Sequence, residues 1–172
     1  LVSKSDAALE KFIENGGRVG IMAETEQTLD MPEHSDLQTA FPGTNWNTRA
    51  RGLGATLARP LSSCAEENVL CYNTDNYFAE DILIHEFAHS FHFLGLNFIG
   101  VDFDNRLKTI YNEALADGLW ANTYAGSDYA EYWAEGVQSW FNLNTEVPTA
   151  NGVHNYINTR SELEAYDPRL YN

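Results

Sequence analysis

The feature that most constrains this chain is one stretch, residues 76–94, that is apolar almost all the way round a helix yet carries two histidines and a glutamate in its middle. Phe78, Ile82, Leu83, Ile84, Phe87, Phe91 and Leu94 cover most of the helical circumference, so the segment is expected to run through the interior of the molecule. Asp75 or Asn76 supplies an N-cap, Glu80 and Asp81 suit the positive end of the helix dipole, and Gly95 supplies a stop. Packing alone gives no reason to bury polar side chains here, because each costs about 1–3 kcal/mol unless it finds a partner.

Those polar side chains belong to His85-Glu86-Phe87-Ala88-His89, an HExxH pattern. At about 100° per residue, His85 and His89 differ by about 40° and sit one turn apart, so two imidazole nitrogens can converge on one tetrahedral ion. Glu86 lies about 100° round, placed to take a proton from a water on the open side of that ion. One zinc ion is the expected cofactor, with His85 and His89 as ligands and Glu86 as general base. His92 extends the stripe and is expected to line the cleft or support the ligands. The longer HExxHxxGxxH pattern is excluded, since His92 stands where it needs glycine and Gly95 where it needs histidine. His34 and His154 have no motif around them and read as ordinary surface or loop histidines.

A catalytic zinc needs a third protein ligand, commonly a carboxylate from a later helix. Two segments offer one. Asn112-Glu113-Ala114-Leu115-Ala116-Asp117 is similar to the NExxxD helix of thermolysin-like peptidases, which makes Glu113 an alternative ligand. Further on, Glu131-Tyr132-Trp133-Ala134-Glu135 puts two glutamates four apart on one helical face, and spacing does not choose between them. Together with HEFAH, and with Tyr124 seven residues ahead of Glu131, this second run resembles the catalytic domain of anthrax lethal factor and the related Pro-Pro endopeptidases, which are gluzincin metallopeptidases. The resemblance covers residues 85–89 and 124–141 and departs at Ala88, where those relatives usually carry glycine. It implies that Glu131 is the third ligand, that Tyr124 supports the oxyanion, and that Glu135 sits behind the site. Glu135 and Asp117 are expected to hold ring N–H groups of the histidines.

The 172 residues and 19.3 kDa fit one domain, and nine Phe, nine Tyr and four Trp supply the bulk for one core. A first helix is expected from Ser3 or Ser5 to Glu14, closed by Gly16-Gly17, followed by a strand over 18–23. Residues 24–47 read as a long irregular connection bordering a cleft, and 51–58 as a glycine-rich strand whose edge could receive an extended peptide. Helices are expected over 104–121 and 128–142, the latter opened by an Asp128/Glu131 capping box. The fold class is therefore α+β and zincin-like: an α/β half over 1–95 with a small mixed sheet and the buried active-site helix, then a helical half over 96–172.

Ten Lys plus Arg against 25 Asp plus Glu give a net charge of −15, which sets nucleic acid aside and favours neutral or cationic partners. No run approaches the ~20 apolar residues of a membrane span. Cys64 and Cys71, with six residues between them in a segment that reads as loop, are expected to form a local disulfide. With the acidity and scarce lysine, this leans towards a secreted protein; the chain opens on Leu1 without a signal-peptide pattern. The expected function is a zinc-dependent metalloendopeptidase that hydrolyses a peptide or protein substrate through a zinc-bound water. The rival expectations are a zinc hydrolase of another amide or ester, and a secreted binding module with structural zinc.

Overall fold

The computed structural model describes residues 5–100 and 102–172, so a cap at Ser3 lies outside the described residues. Helix α1 (Asp6–Glu14) leads through Gly16, in the left-handed region at φ +77°, to strand β1 (Arg18–Met22). The connection that follows is built of single turns and two short helices, α2 (Leu37–Ala40) and α3 (Trp46–Arg49). Strand β2 (Gly52–Leu53) is far shorter than the expected 51–58, because the chain turns back at Thr56, which pairs with Arg59.

Strand β3 (Leu61–Ala65) was not expected, yet it is the centre of the sheet. The order is β1-β3-β2, with β1 parallel and β2 antiparallel to β3. All five β3 residues are buried, which explains why Leu-Ser-Ser-Cys-Ala gave no alternation: a strand covered on both faces has no polar side to display. On one face His34 reaches Ser63, and Met31 and Leu61 lie over Gly20 so closely that a Cβ there would meet them at 2.8 and 3.1 Å. On the other, helix α5 (Ile82–Leu94) packs against β3. Cys64 is therefore a buried thiol of a central strand, and Cys71 is an exposed free thiol just beyond α4 (Glu66–Val69); the expected disulfide is absent.

Helix α5 (Ile82–Leu94) starts later than a cap at Asp75 or Asn76 would have placed it. Asp81 caps it by accepting from the Ile84 N–H, while Asp75 instead closes a turn by accepting from Tyr77, and Ala79 at φ +80° interrupts any longer helix. Phe78 consequently lies outside the helix and is 75% exposed. Gly95 caps the C-terminus of α5 at a place with no room for a side chain: a Cβ there would stand 2.7 Å from the Ala8 carbonyl of α1.

Helix α6 (Phe103–Ala116) stops short of 121 because Gly118, Trp120 and Asn122 all take positive φ. Helix α7 (Tyr129–Phe141) keeps the expected span, with Asp128 accepting from Ala130 and Glu131 and Asn142 closing it at φ +59°. The return half of the expected capping box is missing, since the Glu131 side chain is engaged elsewhere. Two short helices, α8 (Arg160–Tyr166) and α9 (Pro168–Tyr171), follow; α8 opens on a Thr159/Glu162 capping box. The molecule is thus a mixed α/β structure in which α5 packs against β3 on one side and against α7 on the other, through Ala88, Ala134 and Val137. No helix among the described residues is long and apolar enough to cross a membrane.

Candidate metal centre

Helix α5 presents His85 and His89 toward α7, which returns Glu131 from its first turn. Three atoms converge: His85 Nε2 is 3.0 Å and His89 Nε2 3.1 Å from Glu131 Oε2, and the two nitrogens are 3.2 Å apart. Around a tetrahedral zinc, donors at ordinary bond lengths stand about 3.4 Å from one another, so this triangle already has nearly the right size.

The protons decide what the triangle can hold. Gln138 donates its Nε2 to the Asp81 carbonyl at 3.0 Å, which turns its Oε1 toward His85 Nδ1 at 2.8 Å. That oxygen accepts only, so Nδ1 carries the hydrogen and a neutral His85 presents a bare lone pair at Nε2. The lone pair then faces a carboxylate oxygen, which accepts only, and His89 Nε2, whose partner nitrogen Nδ1 is buried without a hydrogen bond, so the three atoms are held together either by hydrogen on a ring nitrogen or by a shared cation. A proton can serve: burial alone would lower His85, but the Glu131 carboxylate, with Glu86 and Glu135 near, pushes it up to about 10. Glu131 moves the opposite way, held below the usual carboxylate range by the two histidines in spite of its burial. A divalent ion satisfies all three atoms at once, and imidazole with carboxylate is a zinc donor set. The residues present therefore fit the ion.

Glu86, one residue on from His85, lines the same cleft of about 460 Å³ and is raised by burial against the opposing pull of His85 and His89. Two glycines line the cleft where the chain meets α5. Strand β2 and the residue after it cross α5 so closely that a Cβ on Gly54 would come within 2.7 Å of His89 Cβ, and one on Gly52 within 3.1 Å of Glu86 Cγ. Tyr124 stacks on His85, ring centroids 6.2 Å apart, and donates its hydroxyl to the second oxygen of Glu131 at 3.0 Å. Burial and that carboxylate raise its pKa, so the hydroxyl stays protonated.

Several expected residues stand elsewhere. Glu113 and Asp117 lie more than half exposed at the end of α6, where Arg169 of α9 pairs with both; neither lines the cleft. Glu113 is thus not a ligand candidate, and Asp117 does not hold a histidine. Glu135 does approach His85 Nδ1, at 3.6 Å, but the hydrogen bond to that nitrogen belongs to Gln138, which sequence reasoning missed. The signal was available: Gln138 is three residues from Glu135 and seven from Glu131, on the same helical face. His92 is fully buried among Phe93, Phe103 and Tyr129 and does not line the cleft. His34 is buried under the sheet, and His154, only 11% exposed, faces Glu80 and Glu135. Burial, reinforced by Glu135, pushes Glu80 up to about 7, while burial lowers His154 and keeps it neutral. Nothing local in the sequence signals these last three, since their partners come from distant segments.

No protein-family model, no curated protein and no solved structure matches the chain.

Proposed function

We propose that the chain is a zincin-like, zinc-dependent metallopeptidase of the gluzincin kind, cutting peptide bonds in a peptide or protein substrate. The observation that carries the reading is the convergence of His85 Nε2, His89 Nε2 and Glu131 Oε2 within 3.2 Å of one another, beside a glutamate in an open cleft. The likeness of residues 85–89 and 124–141 to the lethal factor and Pro-Pro endopeptidase catalytic domains supports it. Zinc bound there would lower the pKa of a water toward ~7 and polarise the scissile carbonyl.

The side chains divide the remaining work. Gln138 fixes the His85 tautomer, so that Nε2 stays free of hydrogen. Glu86, raised by burial but close to two histidines, takes a proton from the attacking water and passes it to the leaving amine. Tyr124 swings its hydroxyl from Glu131 to the oxygen that gains charge, an interaction that strengthens only as the charge appears. The outer edge of β2, Gly52–Leu53, borders the cleft and offers backbone groups to an extended peptide.

Glu86→Gln is the direct test. The variant is expected to retain zinc like the parent and to lose hydrolysis of a peptide library by about 10²–10⁴-fold, while a chelator abolishes parental cleavage. A parent that holds zinc but cuts no peptide, with or without an ester substrate, would sink the assignment in favour of a structural zinc.

A further inference from the structure

A second group of metal-type side chains lies against the first. Glu80, from the turn before α5, and Glu135, from α7, both line the cleft, with side chains 11% and 5% exposed. His154 comes in from the loop between α7 and α8. Its Nε2 is 3.7 Å from Glu80 Oε1 and its Nδ1 3.9 Å from Glu135 Oε2, and one donor atom from each residue falls within 4.8 Å of the other two.

These distances are too long for hydrogen bonds, and His154 Nδ1 is buried without a hydrogen-bond partner. Neither carboxylate is paired with a lysine or arginine among the described residues. Asn144 donates to Glu135 Oε2 at 2.9 Å, but a neutral amide leaves the charge in place. Two buried carboxylates and an imidazole therefore face a common space with no lysine or arginine among them, and a bound cation would offset a charge that otherwise falls to a proton on Glu80 and to His85 beside Glu135. The two distances belong to different nitrogens of the ring, so the three donors, within 4.8 Å of one another, stand wider than the ~3.4 Å kept around a tetrahedral ion, and binding would draw them inward. One imidazole with two carboxylates suits zinc, manganese or ferrous iron; calcium and magnesium prefer oxygen alone.

We propose that Glu80, Glu135 and His154 form a second binding site for a divalent transition-metal ion, separate from the His85/His89/Glu131 centre and sharing a wall with it. Glu135 is the shared element, its Oε1 standing 3.6 Å from His85 Nδ1 while its Oε2 faces His154. Filling the second site draws the Glu135 charge away from His85, so the two centres are coupled through one side chain. The site does not depend on the first being catalytic.

Chelator-stripped chain, dialysed to equilibrium at micromolar free zinc, is counted for bound ions by native mass spectrometry and elemental analysis. Two ions per parent chain are expected, one in Glu80→Gln and one in His154→Asn, with circular dichroism checking the fold of each. Cobalt titration of the parent, followed by absorption, is expected to show two successive sites and needs no variant. A parent that holds a single ion, lost in His89→Ala, overturns the second site and leaves the proposed function standing; a parent that holds none overturns both. Two ions retained in both variants would also overturn the assignment to these residues.

Discussion

At the scale of single residues, the site is organised by who may carry a hydrogen. Gln138 can offer His85 only an oxygen once its amide nitrogen is committed to Asp81, and this fixes the ring nitrogen that faces Glu131. Tyr124 has one hydroxyl and two possible uses for it. In the resting structure it donates to Glu131 Oε1; in the reaction it is proposed to donate to the oxyanion. The two uses have different signatures. If the oxyanion role holds, Tyr124→Phe lowers kcat by about 10–1000-fold, the range of a lost oxyanion donor, with zinc content unchanged. If the hydroxyl serves only to steady Glu131, zinc affinity falls and the turnover per bound ion does not. Steady-state kinetics on zinc-saturated protein, beside a zinc competition titration, separates them.

Elements show what could be read ahead of the structure and why the rest could not. Helix α7 was legible at both ends because its signals are local: Asp128 caps it, and Glu131, Tyr132, Trp133 and Glu135 keep helical spacing. The pair His85 and His89 was legible for the same reason. Strand β3 was hidden because burial on both faces removes alternation, and it carried Cys64 out of the loop where a disulfide seemed natural. The start of α5 was misplaced because Asp75 and Asp81 are equally good caps in isolation, and only Ala79 at positive φ and the Asn68 side chain holding the Ile82 N–H select the later one. Asp117 and Glu113 misled because Arg169, a partner from a distant segment of the chain, is invisible locally. The Gly-rich character of 51–58, by contrast, had a meaning invisible locally: Gly54 allows the chain leaving β2 to pass directly over His89. Gly54→Ala is therefore expected to force strand and helix apart, lowering stability by about 1–3 kcal/mol in urea unfolding and weakening zinc retention by moving His89. Gly43, where a Cβ meets nothing within 4 Å, is the control, and Gly43→Ala should leave zinc retention as it is.

Across the whole molecule, the helical half is locked to α5 at a point where a charge would be expensive. His92 has no exposed surface; its ring stacks on Phe93 with centroids 4.5 Å apart, meets Phe103 edge-on, and has Tyr129 beyond. Nδ1 has no hydrogen-bond partner; Asp104, 3.3 Å from Nε2, favours protonation, and Lys108 opposes it. Burial outweighs Asp104 and pushes His92 down to about 4. The folded pKa is thus below the unfolded value of about 6.5, so between these limits the unfolded chain binds more protons. Stability is complete above about pH 6.5, declines as the pH falls toward 4, and levels off below it; 2.5 pH units correspond to about 3 kcal/mol. Glu80 acts in the opposite sense, its raised pKa of about 7 removing stability as the pH rises from 4.5, and His34, His85, Glu131 and His154 are shifted as well, so the profile of the parent alone mixes several groups. Comparison with His92→Leu cancels the shared part, since that side chain keeps the apolar packing and has nothing to protonate. In urea unfolding of the metal-free chain, the stability of the variant relative to the parent is expected to rise by about 3 kcal/mol between pH 7 and pH 4. Parallel profiles would show that His92 stays neutral in both states, and that the acid sensitivity of the helical half comes from another group.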